Sequence, residues 1–169
     1  MQQKQVIYII EDTEEIATLI SIYLEKANFL PKIFFTAEQA FEEIQKDNIP
    51  ALFLLDLNLP GMSGFDFLNK IKEVTQRSIP TLIISARDAD EDIIKGLKLG
   101  ADDFITKPFS PRVLVAKIEA CLRRVAETTA AAEETLTFGD YTILINSNIL
   151  KKGNIKIQLS AKEYAVLEY

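Results

Sequence analysis

Five polar residues of this 169-residue chain stand where apolar runs end. Glu11 and Asp12 follow VIYII, Asp56 follows ALFLL, Ser85 ends TLIIS, and Lys107 follows FIT. Three carboxylates brought together repel, and one takes up a proton unless a cation is present. Hard carboxylate oxygens beside a backbone carbonyl suit Mg²⁺, which keeps waters and shares its remaining positions with phosphate. A lysine and a hydroxyl across from them suit the oxygens of a transferred phosphoryl group. In that chemistry Asp56 is the nucleophile and forms an acyl phosphate. Each residue alone has a plainer reading. Asp12 with Glu15 could cap a helix, and Asp56 ahead of Pro60-Gly61 could serve a turn. Ser85 could be a strand-end hydroxyl, Lys107 a solvated lysine and Cys121, on an apolar helical stripe, a core residue. The coincidence at four strand ends favours a shared site.

The elements that must position these residues are legible in the pattern. VIYII (6–10), KIFF (32–35), ALFLL (51–55), TLIIS (81–85) and FIT (104–106) read as strands. Between them Ile16, Leu19, Ile20, Tyr23 and Leu24 repeat at helical spacing, as do Ala37, Ala40, Phe41 and Ile44. Phe67, Ile71 and Val74 do so more weakly. The stretch 88–99 is expected to form a fourth helix with Ile94 and Leu97 inward, and Leu114, Ile118, Cys121, Leu122 and Val125 mark a fifth. Strands alternating with helices predict an α/β fold, a doubly wound five-stranded parallel sheet with five helices. Such sheets hold ligands at the carboxyl ends of their strands, where all five polar residues stand.

Composition narrows the classes. A 48% hydrophobic content supports a real core, and no apolar stretch approaches a membrane span. One cysteine rules out a disulfide framework and fits a reducing, cytoplasmic compartment. The absence of histidine removes histidine-based catalysis and His-ligated metals, and a net charge of −6 argues against loose attraction to nucleic acid.

Past residue 125 the texture changes. AETTAAAEE (126–134) reads as a linker or a fraying helix extension. Tyr141, Ile143 and Ile145 alternate, NSN and KGN turn, and Ile155, Ile157 and Leu159 alternate again, predicting an antiparallel meander. Ser160-Ala-Lys-Glu163 is a capping box that opens a helix. The organisation expected is 1–125, a linker at 126–135, and 136–169 as the start of a second domain that is cut short. Lacking the helices that should cover it, that meander is expected to be disordered in solution, or ordered only by packing against the receiver or a neighbouring chain.

Glu11-Asp12, DLNLPGMSG, Ser85-Ala86-Arg87 and GADDFITKPF together resemble the receiver domain of two-component response regulators. LTFGDYTILI…LSAKEYAVLEY is similar to the start of the winged-helix effector domain of the OmpR/PhoB subfamily. The resemblance implies phosphorylation of Asp56 by a partner histidine kinase and control of transcription. It also implies Mg²⁺ held by Asp12, Asp56 and the carbonyl of Asn58, with Glu11 orienting a metal water. Lys107 would contact the phosphoryl oxygens, and the Lys107-Pro108 bond would be cis. Ser85 and Phe104 would be the switch pair, with Phe104 where the subfamily often has tyrosine. Homodimers would form through the fourth helix, fifth strand and fifth helix. There the usual ion pair falls at Ile93 and Val113, leaving Asp103, Lys117 and Arg124 as charged candidates. Promoter DNA would be bound only by the full-length protein, and no membrane is involved.

Other classes fit less well. An aspartate-nucleophile phosphatase of the haloacid dehalogenase type expects a DxD-type motif after the first strand, where this chain has EDT. A flavin carrier needs a phosphate loop there, and EDTEE would repel phosphate. A receiver-like domain that signals without phosphate normally lacks the aspartate or lysine, and both are present.

Overall fold

The computed structural model describes residues 4–75, 78–86, 90–131, 135–144, 149–153 and 155–158. In its first unit, Met1–Arg123, strands β1 (Val6–Ile10), β2 (Leu30–Phe34), β3 (Leu52–Asp56), β4 (Thr81–Ser85) and β5 (Asp103–Thr106) alternate with helices. These are α1 (Glu14–Lys26), α2 (Ala37–Gln45), α3 (Gly64–Val74), α4 (Asp90–Lys98) and α5 (Pro111–Ala131), the last of which continues past Arg123 into the second unit. The strands pair in parallel in the order β2-β1-β3-β4-β5.

The greasiest segments occupy the centre. Every residue of β3 and β4 is buried, because helices cover both faces of the sheet. On one face Tyr8, Ile10, Phe53, Leu55 and Ile83 pack against Ala40 and Ile44 of α2 and Phe67 and Ile71 of α3. On the other, Ile7, Ile9, Leu54 and Ile84 meet Ile20 and Leu24 of α1 and Leu114, Ile118 and Cys121 of α5. Cys121 is thus a core residue. The chain leaves β1 to opposite sides to build β2 and β3, so the crevice of the sheet opens above the carboxyl ends of β1 and β3.

One expectation is overturned. Ile94 and Leu97 do not point inward; they are 50% and 44% exposed. The residue of α4 that is buried is Gly96. A Cβ there would lie 2.6 Å from Ile83 Cδ1, so the absent side chain lets the helix backbone close on the sheet. The helix is rotated to present its smallest residue, which hydrophobic spacing alone could not reveal. Val74, on the weak α3 stripe, is likewise 49% exposed.

In the second unit, Arg124–Tyr169, strands β6 (Thr135–Phe138), β7 (Tyr141–Leu144), β8 (Ile149–Lys152) and β9 (Ile155–Gln158) form an antiparallel sheet in sequence order. Its register sets Leu136, Ile143, Leu150 and Ile157 in one cross-strand row. Ile155 and Ile157 are 63% and 51% exposed. The expected turn at 146–148, the alternating Ile145 and Leu159 and the helix opened by Ser160 lie outside the described residues.

Candidate phosphoacceptor site

β1 and β3 run side by side, with Ile10 opposite Leu55, so Glu11 and Asp56 emerge next to each other. Both are buried, at 2% and 4% exposure, while Asp12 is exposed. Carboxylate oxygens of Glu11, Asp12 and Asp56 all lie within 4.8 Å of one another. β5 brings Lys107 across β4 to the same crevice, where its backbone N–H donates to the carbonyl of the fully buried Ser85 at 2.8 Å. Its Nζ donates to Glu11 Oε2 at 2.7 Å and to Asp56 Oδ2 at 2.6 Å. The Lys107-Pro108 peptide bond is cis.

The turn reading of Asp56 is realised on one oxygen, and the other is held by Lys107. Oδ1 accepts the backbone N–H of Asn58 at 2.8 Å, closing a local turn. Oδ2 faces Lys107. The capping reading of Asp12 fails, since the N-cap of α1 is Thr13, which makes no side-chain capping bond. Thr13 instead donates its N–H to Glu11 Oε1 at 3.1 Å.

The charges do not balance. Burial pushes the Glu11 carboxyl above its ordinary value, the neighbouring charge of Asp56 adds to this, and Lys107 only partly offsets it. For Lys107 burial works against the charge, but the hydrogen bonds and charges of Asp56 and Glu11 outweigh it and hold the ammonium above its ordinary value. Among the described residues, three carboxylates gather against one ammonium. The donors are hard oxygens and one of them is open to solvent, a set that fits a partly hydrated divalent cation such as Mg²⁺.

The remaining candidates lie away from this cluster or at its edge. Phe104 on β5 is partly buried against the core face that holds Ile83. On the α4–β5–α5 side Asp103 Oδ2 accepts from Lys117 Nζ of the same chain at 2.7 Å. Val113 is 49% exposed, Ile93 is partly buried and Arg124 is exposed. Sequence reasoning did not single out Thr13, which holds Glu11, or Glu38 of α2, whose Oε1 accepts the N–H of Met62 at 2.7 Å. Nothing local to residue 38 signals a partner 24 positions away.

Residues 7–119 match the family model described as the response regulator receiver domain. Regulatory protein VanR of Enterococcus faecium is 34% identical over 164 residues, covering 95% of this chain and 70% of VanR. The phosphate regulon transcriptional regulatory protein PhoB of Escherichia coli (strain K12) is also 34% identical, covering 96% of this chain and 70% of PhoB. Among solved structures, the response regulator DrrB, an OmpR/PhoB homologue of Thermotoga maritima, matches with a TM-score of 0.65 and 27% identity over 98% of this chain and 71% of that one. These matches do not favour the phosphatase alternative. A buried aspartate facing a partly buried lysine on a receiver fold, followed by sequence shared with transcriptional regulators, places the chain in a family: it belongs to the two-component response regulators of the OmpR/PhoB subfamily, which act in transcriptional regulation.

Proposed function

We propose that Asp56 is the phosphoacceptor, that Asp12, Asp56 and the Asn58 carbonyl hold Mg²⁺ with Glu11 orienting a metal water, and that Lys107 and Ser85 receive the phosphoryl oxygens. The observation that carries this reading is the Lys107 ammonium shared between Glu11 and Asp56 at the carboxyl edge of the sheet. Members of the family generally accept a phosphoryl group rather than act as classical enzymes, and their receivers interact with histidine kinases and dimerise. Asp56 Oδ2, the oxygen that faces Lys107 across the crevice, is the attacking oxygen, and Oδ1, which accepts the Asn58 N–H, closes the turn. A P–O bond to Oδ2 forms as the donor's P–N bond breaks and its imidazole leaves. Before attack Lys107 holds Oδ2 in place through its hydrogen bond; afterwards its Nζ passes from Oδ2 to a phosphoryl oxygen. A bound divalent cation offsets the charge of the carboxylates and phosphoryl oxygens as they approach. Burial of Ser85 and Glu11 excludes bulk water from that side of the crevice.

Movement of the Ser85 hydroxyl towards the phosphoryl group would free space for Phe104 to swing inward. That change would be read on α4, β5 and α5, where a two-fold dimer forms. Val113, Ile93 and Arg124 belong to that surface, with the Asp103–Lys117 pair available for exchange across it. The full-length protein would engage promoter DNA, in the cytoplasm. Among the described residues no helix is long and apolar enough to cross a membrane.

Acetyl phosphate with Mg²⁺, followed by intact-mass measurement, tests the site. A stable gain of one phosphoryl group on the wild type and none on Asp56→Asn is expected. Undiminished labelling of Asp56→Asn, or steady release of free phosphate without an adduct, would sink the assignment. For the dimer, Val113→Glu should weaken phosphorylation-driven association about tenfold or more in sedimentation, the cost of setting a charge in an apolar contact. An unchanged association constant would place the interface elsewhere.

A further inference from the structure

Residues 57–63, which join β3 to α3, carry Asn58 and so set one side of the crevice. Their beginning is pinned by burial of Leu57 and Leu59 and by the Asn58 bond to Asp56. Their end is pinned by Ser63, whose Oγ accepts the N–H of Asp66 and caps α3. Between these points the chain turns at Gly61, with φ of +74°. Beneath that turn lies a carboxylate from another element. Glu38 Oε1 accepts the Met62 N–H at 2.7 Å, and a Cβ on Gly61 would stand only 2.5 Å from the same oxygen.

Glu38 is itself held firmly. It sits in the first turn of α2, where Thr36 accepts from the Gln39 N–H and the Gln39 side chain accepts from the Phe35 N–H. Its other oxygen, Oε2, is buried without a hydrogen-bond partner among the described residues. A glutamate at a helix N-terminus would ordinarily turn both oxygens to water, and burying one unpaired is costly. The carboxylate is therefore committed to the loop.

We infer that Glu38 is a positioning residue for phosphoryl acceptance. Its bond to Met62 fixes the Gly61 turn and thereby the loop that presents Asn58 to the divalent cation. The inference rests on the proposed cation site, and it adds a residue on α2 to those that determine how tightly the cation is held. Side chains that orient ligands from outside the coordination sphere commonly matter this way.

Mg²⁺ titration calorimetry on the whole chain, paired with hydrogen exchange of the Met62 amide, tests it. Glu38→Ala should speed exchange at Met62 and weaken Mg²⁺ binding by about tenfold. Glu38→Gln, which keeps the accepting oxygen and loses the charge, should restore both to near wild-type values. Gly61→Ala attacks the same contact from the other side, and should cost more affinity in the wild type than in Glu38→Ala. If Glu38→Ala deprotects Met62 and leaves Mg²⁺ affinity unchanged, Glu38 is a loop anchor only and the inference falls. It falls equally if Glu38→Gln behaves as Glu38→Ala, since charge and not the hydrogen bond would then be the cause. Should Glu38→Ala fail to fold, Glu38→Gln and Gly61→Ala decide: full affinity in Gly61→Ala overturns the inference. Failure of the cation site itself looks different, because the wild type would give no binding heat that Asp12→Ala abolishes, and both readings would then go together.

Discussion

Two clusters of lysine and carboxylate in the receiver unit are built from the same groups in opposite proportions. At the surface, Glu43 alone accepts from Lys32, Lys46 and the Asn48 side chain. These bonds hold its carboxyl well below the ordinary range, at about 2. In the crevice one lysine serves two buried acids, with Asp12 close by, and burial drives Glu11 the other way. The first cluster is satisfied within the chain. Among the described residues the second keeps an excess of carboxylates over ammonium groups, a difference that fits the cation site proposed above.

The sharpest way to break this contrast is to remove the ammonium from each. Lys107→Met leaves Glu11 and Asp56 buried without their partner and should cost about 3 kcal/mol in metal-free denaturant unfolding. Lys46→Met should change little, since an exposed pair contributes little. Equal effects would mean that the crevice is no more strained than the surface.

Cation binding comes next in size. At ten times its dissociation constant, Mg²⁺ should stabilise the wild type by about 1.4 kcal/mol. Asp12→Ala should blunt that gain and Glu43→Gln should leave it intact. A melting curve indifferent to Mg²⁺ would remove the crevice from the metal-binding class.

The pH dependences should have opposite signs. Glu11 has a folded-state value raised above the ordinary 4.5, so the folded chain holds its proton longer than the unfolded one. Its metal-free contribution is therefore most favourable below the ordinary value and declines as pH rises through the raised one. Glu11→Gln should flatten that decline in melting measurements from acid to neutral pH. An unchanged slope would show that Glu11 ionises freely.

Glu43 gives the smallest effect. Its depressed value means a contribution present above the ordinary 4.5 and lost as pH falls towards about 2. Glu43→Gln should be slightly less stable than wild type at neutral pH and indistinguishable near pH 2. Added salt should shrink the neutral-pH difference, and a gap insensitive to both would need another cause.

The five strand-end residues were legible because alternation of buried strands with helices places every carboxyl end on one edge, whatever the side-chain detail. The rotation of α4 was not. Ile94 and Leu97 have the spacing of a buried stripe, yet Gly96 faces the sheet because close approach to Ile83 wins over their burial. Glu38 was equally hidden, since its partner is set by how α2 lies beside the loop after β3.

By itself, then, the order of apolar runs and polar ends determined the parallel sheet, the crevice and the residues gathered there. Periodicity and turn chemistry are local, and chain connectivity converts them into topology. Tertiary structure decided how the charges are shared: which oxygen of Asp56 closes the turn and which meets Lys107, and that Thr13 rather than Asp12 begins α1. Such choices depend on distances of an ångström between groups far apart in sequence, and on the loss of water around them, neither of which is written in any one segment.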